Sequence, residues 1–374
     1  MQKKIICAFI VVLFTPTILF AQIFRNSHNR NEIITRELAA FEEPGYYEED
    51  DGYMDVNEQL NADFPGERAR AMEDALRSVV IELVFEYMFN VHGQQTFEVV
   101  DSQGNRITKL LYPHRGNVNV FKGELRVSPR VSIGGKFGSS NFRKVTSTDT
   151  DWDSSVSTEY VWWESQSRLS PEVQFYDLNL YLTLFDLESQ KAKSDPALRD
   201  FLNFLRVDDF ICDIFGGYQQ QKGRYRMNEL VDTMEYWVPT NKAIGGLDSF
   251  YKVKYKGPRL GFRLKGSAGK VTTRLSFAYA WLTTKGYGWW NLRDYAFEHN
   301  SAKGTGRGID VGLETTYNFT PNLSAGIGFN YLSCMQKSLT ESGNQPGDVY
   351  NDLDIIRNVN SKIYGPSVLL RYSW

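Results

Sequence analysis

The sequence predicts an all-β fold, a ten-stranded antiparallel transmembrane β-barrel with long extracellular loops, short periplasmic turns and an N-terminal extension. Near the end of the chain, Val368, Leu370 and Tyr372 alternate with neighbours on the opposite strand face, and Trp374 supplies a ring suited to a membrane interface. The first residues have the pattern of an export signal. Aromatic residues make up 14% of the chain, as expected where rings surround a barrel at both interfaces.

Residues 1–22 are predicted to be a secretory signal peptide that is removed from the mature chain. Two lysines precede an apolar run from Ile5 to Phe20, and Ala21-Gln22 lead into the first polar stretch. No apolar run in the mature chain approaches the ~20 residues of a membrane helix, and the mean hydropathy is -0.40. Helical membrane insertion is therefore excluded. A soluble, secreted β-sandwich would share the aromatic and glycine content but would not explain the last strand.

The mature chain divides into two regions. Residues 23–76 contain the acidic segment Glu42–Gly52 and little hydrophobic periodicity, which predicts a mostly disordered periplasmic extension. Residues 66–76 favour one short helix before the first strand. Residues 77–374 are predicted to form the barrel.

Long strands alternate with turns throughout the predicted barrel. The strands are expected near 78–100, 106–127, 130–145, 172–187, 207–222, 249–264, 270–284, 306–319, 323–338 and 360–374. Connections are short at 128–129, 268–270 and 320–322, and long at 148–171, 223–248, 285–305 and 339–359. Short periplasmic turns and long external loops are typical of outer-membrane barrels. The polar insert 186–206 is an exception on the short-turn side. Several strands exceed the about 9–11 residues that cross a bilayer, so the sheet should project as a collar.

Charge and cysteine content exclude several classes of partner. The formal net charge of -3 gives no basic surplus for binding nucleic acid. Cys7 leaves with the signal peptide, and Cys212 and Cys334 lie in separate strand-like segments. The two residues could form a disulfide in an oxidising envelope, but the sequence favours two buried free thiols. No residue set resembles a zinc or iron–sulfur site, so neither a metal nor a cofactor is predicted.

The loop after the third predicted strand carries the first candidates for chemistry, Asp149 and Asp151. In an extended segment their side chains share one face about 6.5–7 Å apart. Two carboxylates this close repel, so one pKa should rise and the pair could hold or polarise a water molecule. The alternative is an ordinary polar loop, since Asp, Thr and Ser are common there.

Among the few histidines, His299 alone falls in a long predicted external loop. It could act as a general base, with Glu298 or Asp294 close enough in sequence to orient it. The alternative is an exposed loop histidine. His92 and His114 are about equally distant from the first turn, which predicts that they lie near each other across the first hairpin.

The region from about residue 106 to 374 resembles the omptins, ten-stranded outer-membrane proteases of Gram-negative bacteria. Asp149-Thr-Asp151-Trp152 followed by Asp153-Ser-Ser155 is similar to their acidic pair followed by Trp and Asp-Ser-Ser. Further similarities are Asp177-Leu178-Asn179, Gly217-Tyr218-Gln219, the turn Thr320-Pro321-Asn322 and the succession of loop lengths. The resemblance does not cover residues 23–76 or the insert 186–206.

The resemblance implies an endopeptidase in which an Asp pair faces an Asp–His pair across the barrel mouth, with water between them. On that basis Asp149 and Asp151 form the first pair and His299 is the base. The chain departs from the family at Phe297, which stands where omptins have the aspartate of Asp-x-His. Asp294 could replace that aspartate only if the loop bulges.

Omptins also bind lipopolysaccharide, which the resemblance implies as an activating lipid here. Tyr218 matches a family contact, and Lys222 and Lys254 fall where basic contacts are expected, although lysines near a membrane also snorkel. The leading hypothesis is an outer-membrane surface endopeptidase acting on a protein or peptide substrate. Its rival is a non-enzymatic barrel of the same fold that serves adhesion or binding through its loops. A diffusion porin is disfavoured, because ten strands enclose mostly side chains.

Overall fold

The structure is a computed structural model that describes residues 80–374 apart from 102, 153–160, 188–195, 197–198, 201, 203–206, 303 and 344–355. The predicted signal peptide, the acidic extension and most of the insert 186–206 lie outside the described residues. The strands are β1 Val80–Val100, β2 Arg106–Ser128, β3 Val131–Phe142, β4 Val145–Trp152, β5 Val161–Asp186, β6 Asp209–Glu235, β7 Val238–Ala268, β8 Val271–Trp290, β9 Tyr295–Asn300, β10 Gly306–Asn318, β11 Leu323–Gly343 and β12 Ile356–Ser373. A single 3-10 turn, Asn291–Arg293, precedes β9. No helix in the described part of the chain is both long and apolar enough to span a membrane.

Ten of these strands form a closed antiparallel ring, which confirms the predicted fold class. The order around the ring is β1, β2, β3, β5, β6, β7, β8, β10, β11 and β12, and β12 pairs again with β1. At the closing seam the Trp374 N–H donates to the Ile81 carbonyl and the Ile81 N–H donates to the Trp374 carbonyl, at 3.0 and 2.9 Å. The last strand therefore removes the sheet edge that β1 would otherwise expose.

Two short strands complete the wall above β3 and β10, where the sequence predicts loops. β4 pairs with β2 and β5, and β9 pairs with β8 and β11. The prediction of long loops at 148–171 and 285–305 is therefore wrong in part. The prediction for 223–248 is also wrong, because β6 and β7 continue to a two-residue turn at Tyr236 and Trp237, with φ of 51° and 64°. Side chains such as Tyr225 and Met227 alternate into the interior, which keeps this segment in the sheet.

An apolar belt surrounds the lower part of the barrel on its outer face. Its exposed members include Leu83, Phe85, Phe121, Leu125, Ile133, Phe137, Leu178, Leu180, Leu182, Ile214, Leu260, Phe262, Ile327, Phe329, Val368 and Leu370. Exposed cations follow above it, among them Arg115, Lys222, Arg224, Lys252, Lys285, Arg307 and Lys362. Because both described termini and the short turns lie at the belt end, that end is periplasmic and the cationic end is extracellular.

Inside the belt the lumen is filled by ion pairs. Arg259 donates to Asp177 and Asp310 at 2.6 and 3.0 Å, and all three side chains are nearly fully buried. A second cluster nearer the periplasm joins Arg263 to Glu124 and Asp213, and Arg274 to Glu82. Filling by paired side chains is the expected interior of a small barrel.

The two cysteines of the barrel are free thiols. Cys334 on β11 is buried and Cys212 on β6 is half-buried, and neither forms a disulfide. The prediction of two free thiols is therefore confirmed. The prediction that both are buried is confirmed for Cys334 alone.

Candidate active site at the extracellular mouth

Strand β4 carries the Asp pair on the inner wall of the mouth. Asp149 lies opposite Leu110 of β2 and Asp151 opposite Thr108. Since Leu110 is buried in the interior, the alternation of the sheet places both carboxylates on the inner face. The Thr108 hydroxyl donates to Asp151. Burial, and then the charge of Asp149, raise the pKa of Tyr112 well above its ordinary value, so that this phenol stays protonated beside the pair.

His299 lies on β9. This strand sits above β10, which is five positions around the ring from β3, the strand below β4, so His299 and the Asp pair lie on opposite walls. In the sheet it faces Gly286 of β8 on one side and Glu341 of β11 on the other. Its Nε2 lies 2.6 Å from Glu341 Oε2, and its Nδ1 lies 3.1 Å from the Tyr251 hydroxyl. A carboxylate can only accept, so Nε2 donates to Glu341, while the Tyr251 hydroxyl forms a hydrogen bond with Nδ1. Both ring nitrogens are therefore held by hydrogen bonds, and in the neutral ring Nδ1 is the basic one.

Glu341 is itself held by two further donors. The Tyr295 hydroxyl donates to its Oε1 at 2.9 Å, and Arg357 Nε donates to its Oε2 at 3.1 Å. Burial alone would raise the pKa of Glu341, but the His299 hydrogen bond and the charges of His299 and Arg357 hold that pKa below its ordinary value. Glu341 therefore remains a carboxylate at neutral pH and fixes the tautomer of His299.

Neither acid expected to orient His299 does so. Asp294 is exposed at the end of the 3-10 turn, with a φ of 47°, and Glu298 is exposed on the outer face of β9. The sequence-based assignment of Asp294 as the partner is corrected to Glu341, because odd-numbered residues of β9 point inward and Glu341 is their neighbour across β11. Phe297 also points inward, with its ring 5.0 Å from that of His299.

Two glycines on β8 make room for these rings. Gly288 lies opposite Phe297 and Gly286 lies opposite His299. A Cβ at Gly288 would come within 2.0 Å of the Phe297 ring, and one at Gly286 within 3.1 Å of the His299 Cβ. The pattern Gly286-Tyr287-Gly288 therefore leaves room for the side chains of Phe297 and His299 to pack against β8 on the inner face of the barrel.

An aromatic layer formed by Phe97, Tyr112, Tyr225, Tyr251 and Tyr255 fills the space between the two walls. Every member is buried. Ring centroids are 6.2 Å apart for Tyr112 and Tyr251, and 5.8 Å apart for Tyr251 and His299. Phe97 stacks on His299 at 4.8 Å. The layer links the wall of Asp149 to that of His299 and closes the lumen below the mouth.

The other two histidines of the barrel are neighbours across the first hairpin, as expected. Gly93 pairs with His114 and His92 pairs with Arg115, so the histidines are one residue out of register and point to opposite faces. His92 is exposed, whereas His114 is buried between Phe142 and Tyr225, with ring centroids 5.1 and 5.6 Å away. Burial lowers the pKa of His114 to about 4.

We expect this buried histidine to make the barrel less stable in acid. Between pH 6.5 and about 4 the unfolded chain binds a proton on His114 that the folded protein excludes. The free energy of unfolding should therefore decrease by roughly 3 kcal/mol as the pH is lowered from 6.5 to about 4. Denaturant unfolding in detergent at several pH values measures it. His114→Phe should flatten the dependence and His92→Gln should leave it unchanged. A slope that is the same in all three proteins would contradict this assignment.

The residues suggested for lipid binding lie together just above the apolar belt. Tyr218 is 43% exposed on the outer face of β6. Lys222 pairs in register with Lys254 of β7, and Lys254 pairs with Lys285 of β8. Burial, followed by the nearby Lys256, Lys222 and Lys285, lowers the pKa of Lys254. Three ammonium groups in one row favour an anion between them.

Comparison with known proteins supports the architecture. The family model for Pom, the Protochlamydia outer membrane protein, matches residues 215–346, less than half of the chain. No curated protein matches the sequence. Among solved structures, the outer membrane protease OmpT from Escherichia coli is similar with a TM-score of 0.62 at 14% identity, over 79% of this chain and 97% of that one. At this identity the likeness is one of fold.

Other outer-membrane structures match much less well. The translocator domain of the autotransporter NalP from Neisseria meningitidis gives a TM-score of 0.30 at 9% identity, over 84% of this chain and 97% of that one. Ail of Yersinia pestis gives 0.20 at 8% identity, over 79% and 98%. The lipid-facing belt, the Pom match and the OmpT-like ring agree. The chain is an outer-membrane β-barrel.

Proposed function

We propose that the barrel is a surface endopeptidase whose site is formed by Asp149, Asp151, His299 and Glu341. The carrying observation is the 2.6 Å contact between His299 Nε2 and Glu341 Oε2. This contact gives His299 a carboxylate partner, although Phe297 stands where the omptin motif has its aspartate. The inward-facing Asp pair on the opposite wall supports the same arrangement.

Each residue has a distinct part in this reaction. Asp149 and Asp151 hold a water molecule at the mouth, and His299 Nδ1 takes one of its protons as the oxygen attacks the peptide carbonyl carbon. Glu341 stabilises the imidazolium that forms. The tetrahedral intermediate then breaks its C–N bond, and the proton passes from Nδ1 to the leaving amine. The products are a carboxylate and an amine, with no other reactant needed.

Tyr251 must move for this chemistry to occur. Its hydroxyl occupies His299 Nδ1 at 3.1 Å, and its pKa is raised by burial and by Glu341, so that it remains a proton donor. A peptide entering the mouth has to displace this hydroxyl before water can reach the base. Tyr251 is therefore the gate of the proposed site, and the closed arrangement is the state without substrate.

A mutant cycle tests the proposal. The purified, refolded full chain in lipopolysaccharide-containing micelles should cleave peptides. Asp151→Ala and His299→Ala should each remove nearly all activity, and the double variant should lose little more, because groups that act as one unit are not additive. Effects that multiply, or two single variants that cleave at the wild-type rate, would count against a joint site.

The second candidate is a non-enzymatic binding barrel. It is favoured by the aromatic layer, since the rings of Tyr112 and Tyr251 fill the space between the wall that carries Asp149 and the wall that carries His299. In that case the buried polar groups at the mouth only stabilise the collar. A folded preparation that cleaves no peptide from a diverse pool, with Tyr251→Ala equally inactive, would favour this reading over the enzymatic one.

We also propose that Tyr218, Lys222 and Lys254 bind the phosphate-bearing headgroup of lipopolysaccharide. Like charges across neighbouring strands cost free energy unless an anion lies between them, and phosphate on the outer leaflet meets this need. The position of the row immediately above the apolar belt agrees with the level of such headgroups.

Neutralising the row should weaken lipid binding. In Lys222→Gln/Lys254→Gln we expect at least a tenfold lower affinity for fluorescent lipopolysaccharide in micelles, with reduced salt dependence. Lys242→Gln is the control, because Lys242 is 60% exposed on the hairpin far above the belt. Equal affinities for the wild type and the double variant would rule out this site.

A further inference from the structure

An arginine row, made of Tyr364, His92, Arg115 and Arg143, crosses the outer face of the barrel. In register, Tyr364 of β12 lies beside His92 of β1, and His92 lies beside Arg115 of β2. Arg143 follows the end of β3 and donates its backbone N–H to the Arg115 carbonyl at 2.8 Å. Adjacent strands are about 4.8 Å apart, so the row spans roughly 15 Å. β1 is five positions around the ring from β7, the middle strand of the lysine row, and the two rows therefore occupy opposite walls.

A bulge in β1 brings His92 into this row. Met88 and Val91 both lie inside the barrel, although residues three apart in a regular strand point to opposite faces. The register against β12 shifts between Met88 and His92, and Asn90 within this shift has a φ of 47°. Strict alternation from Met88 would place His92 on the inner face. The bulge instead turns His92 outward, beside Arg115.

The imidazole of His92 is held in place by two contacts. Its Nδ1 lies 2.8 Å from the Asn90 carbonyl oxygen, which can only accept, so Nδ1 donates. The Tyr364 ring stacks against it, with centroids 6.3 Å apart and planes inclined by 25°. Nε2 is therefore the nitrogen that a ligand on the outer face can reach, and in the protonated ring it is a hydrogen-bond donor.

The cations of this surface have no acidic partner in the described part of the chain. Arg115, Arg143 and the nearby Lys362 of β12 are exposed, and none of them forms an ion pair there. Glu172, exposed on the neighbouring β5, forms no ion pair with either arginine. Like charges on adjacent strands cost free energy. An anion between the two guanidinium groups removes that cost.

The row lies immediately above the apolar belt. Phe329 of β11 belongs to the belt and pairs with Pro366 of β12. Two residues further toward the extracellular end, Tyr331 pairs with Tyr364. Tyrosines at the edge of an apolar band mark the membrane interface. The arginines beside Tyr364 therefore face the headgroups of the outer leaflet.

We propose that the arginine row binds the phosphate of an outer-leaflet lipid, at a site separate from that on β6 and β7. The phosphate lies between Arg115 and Arg143, whose paired N–H groups match its oxygens. Lys362 and protonated His92 donate to it from the side of β12. The acyl chains of the lipid extend along the belt below Tyr364, which favours a lipid over a free phosphate ion. This binding is independent of peptide cleavage at the mouth.

Binding of fluorescent lipid A, the phosphate-bearing anchor of lipopolysaccharide, to the full chain in micelles tests the proposal. Every protein compared carries Lys222→Gln/Lys254→Gln, so that the result does not depend on the site on β6 and β7. We expect Arg115→Gln/Arg143→Gln to lower the affinity of this parent by roughly tenfold or more, because charge-assisted hydrogen bonds are lost. Both arginines are exposed, so the variant should fold like the parent.

A matched control removes the same charge elsewhere. Arg307 and Lys337 are exposed on β10 and β11, outside the row, and Arg307→Gln/Lys337→Gln should leave the affinity of the parent nearly unchanged. An equal loss in this control and in Arg115→Gln/Arg143→Gln would overturn the proposal, because general attraction between the barrel and the lipid would explain both. Equal affinities of the parent and Arg115→Gln/Arg143→Gln would overturn it as well.

Two further measurements identify the ligand. Dephosphorylated lipid A with the same acyl chains should bind the parent as weakly as lipid A binds Arg115→Gln/Arg143→Gln, and millimolar inorganic phosphate should displace little lipid A from the parent. Equal binding of the two lipids would contradict recognition of the phosphate. Displacement of lipid A by inorganic phosphate would overturn the assignment to a lipid.

Discussion

Replacing Glu341 with glutamine should lower kcat for peptide cleavage by on the order of 10⁴-fold, with little change in KM. The amide keeps the size of the side chain but lacks the charge that stabilises the His299 imidazolium, and loss of a comparable carboxylate in other enzymes has effects of this size. Initial rates on one fluorogenic peptide, with the folded fraction checked for each preparation, give the ratio.

Asp294→Asn and Glu298→Gln are the matched controls for Glu341→Gln. Both acids are close to His299 in sequence but exposed in the fold, so both variants should retain wild-type rates. If Asp294→Asn abolished cleavage and Glu341→Gln did not, the sequence-based partner would be right and the partner seen in the fold would be wrong. A parallel fall in kcat and in folded fraction for Glu341→Gln would indicate a purely structural role.

Removing Arg259 should be the most destabilising single change in the lumen. Its side chain is 5% exposed and neutralises Asp177 and Asp310, and Lys136 is the remaining cation in an ion pair with them when it is gone. Breaking a buried ion pair on one side leaves uncompensated charge and costs about 3–5 kcal/mol. Arg259→Leu should therefore lower the free energy of unfolding in micelles by that amount.

An exposed arginine offers the matched control. Arg168 pairs with Glu229 at 3.0 Å on the outer face, with side chains 50% and 66% exposed. Arg168→Leu should change the free energy of unfolding by less than about 1 kcal/mol, because solvent screens such pairs. Asp177→Asn and Asp310→Asn added to Arg259→Leu should restore part of the lost stability. Equal losses in Arg259→Leu and Arg168→Leu would contradict the importance of the luminal pairs.

The ring itself could be predicted because its signals are local. Alternation at Val368, Leu370 and Tyr372 marks the lipid-facing side of β12, and short polar turns mark the periplasmic end. Each of these patterns depends on neighbours within one strand. The extension of β6 beyond residue 222 is hard to predict because outward cations such as Arg224 and Arg226 interrupt apolar runs, although their inward neighbours Tyr225 and Met227 continue the core.

The partner of His299 could not be predicted because it depends on register between distant strands. β9 pairs with β11 and skips β10, since β10 joins the wall lower down. Only that pairing brings Glu341 beside His299, 42 residues away. Local sequence therefore pointed to Asp294 and Glu298 instead. The spacing of Gly286 and Gly288 was the one available sign that large rings pack against β8 at this level.

The most direct test of the proposed function is cleavage of a diverse peptide pool by the wild-type barrel and by His299→Gln, purified and refolded side by side. We expect the wild type to produce new carboxyl termini, each with one ¹⁸O atom when the reaction is run in ¹⁸O-labelled water, and the variant to leave the pool intact. A wild-type barrel that is folded, contains lipopolysaccharide and cleaves nothing, or a variant that cleaves at the same rate, would contradict a hydrolytic site built on His299.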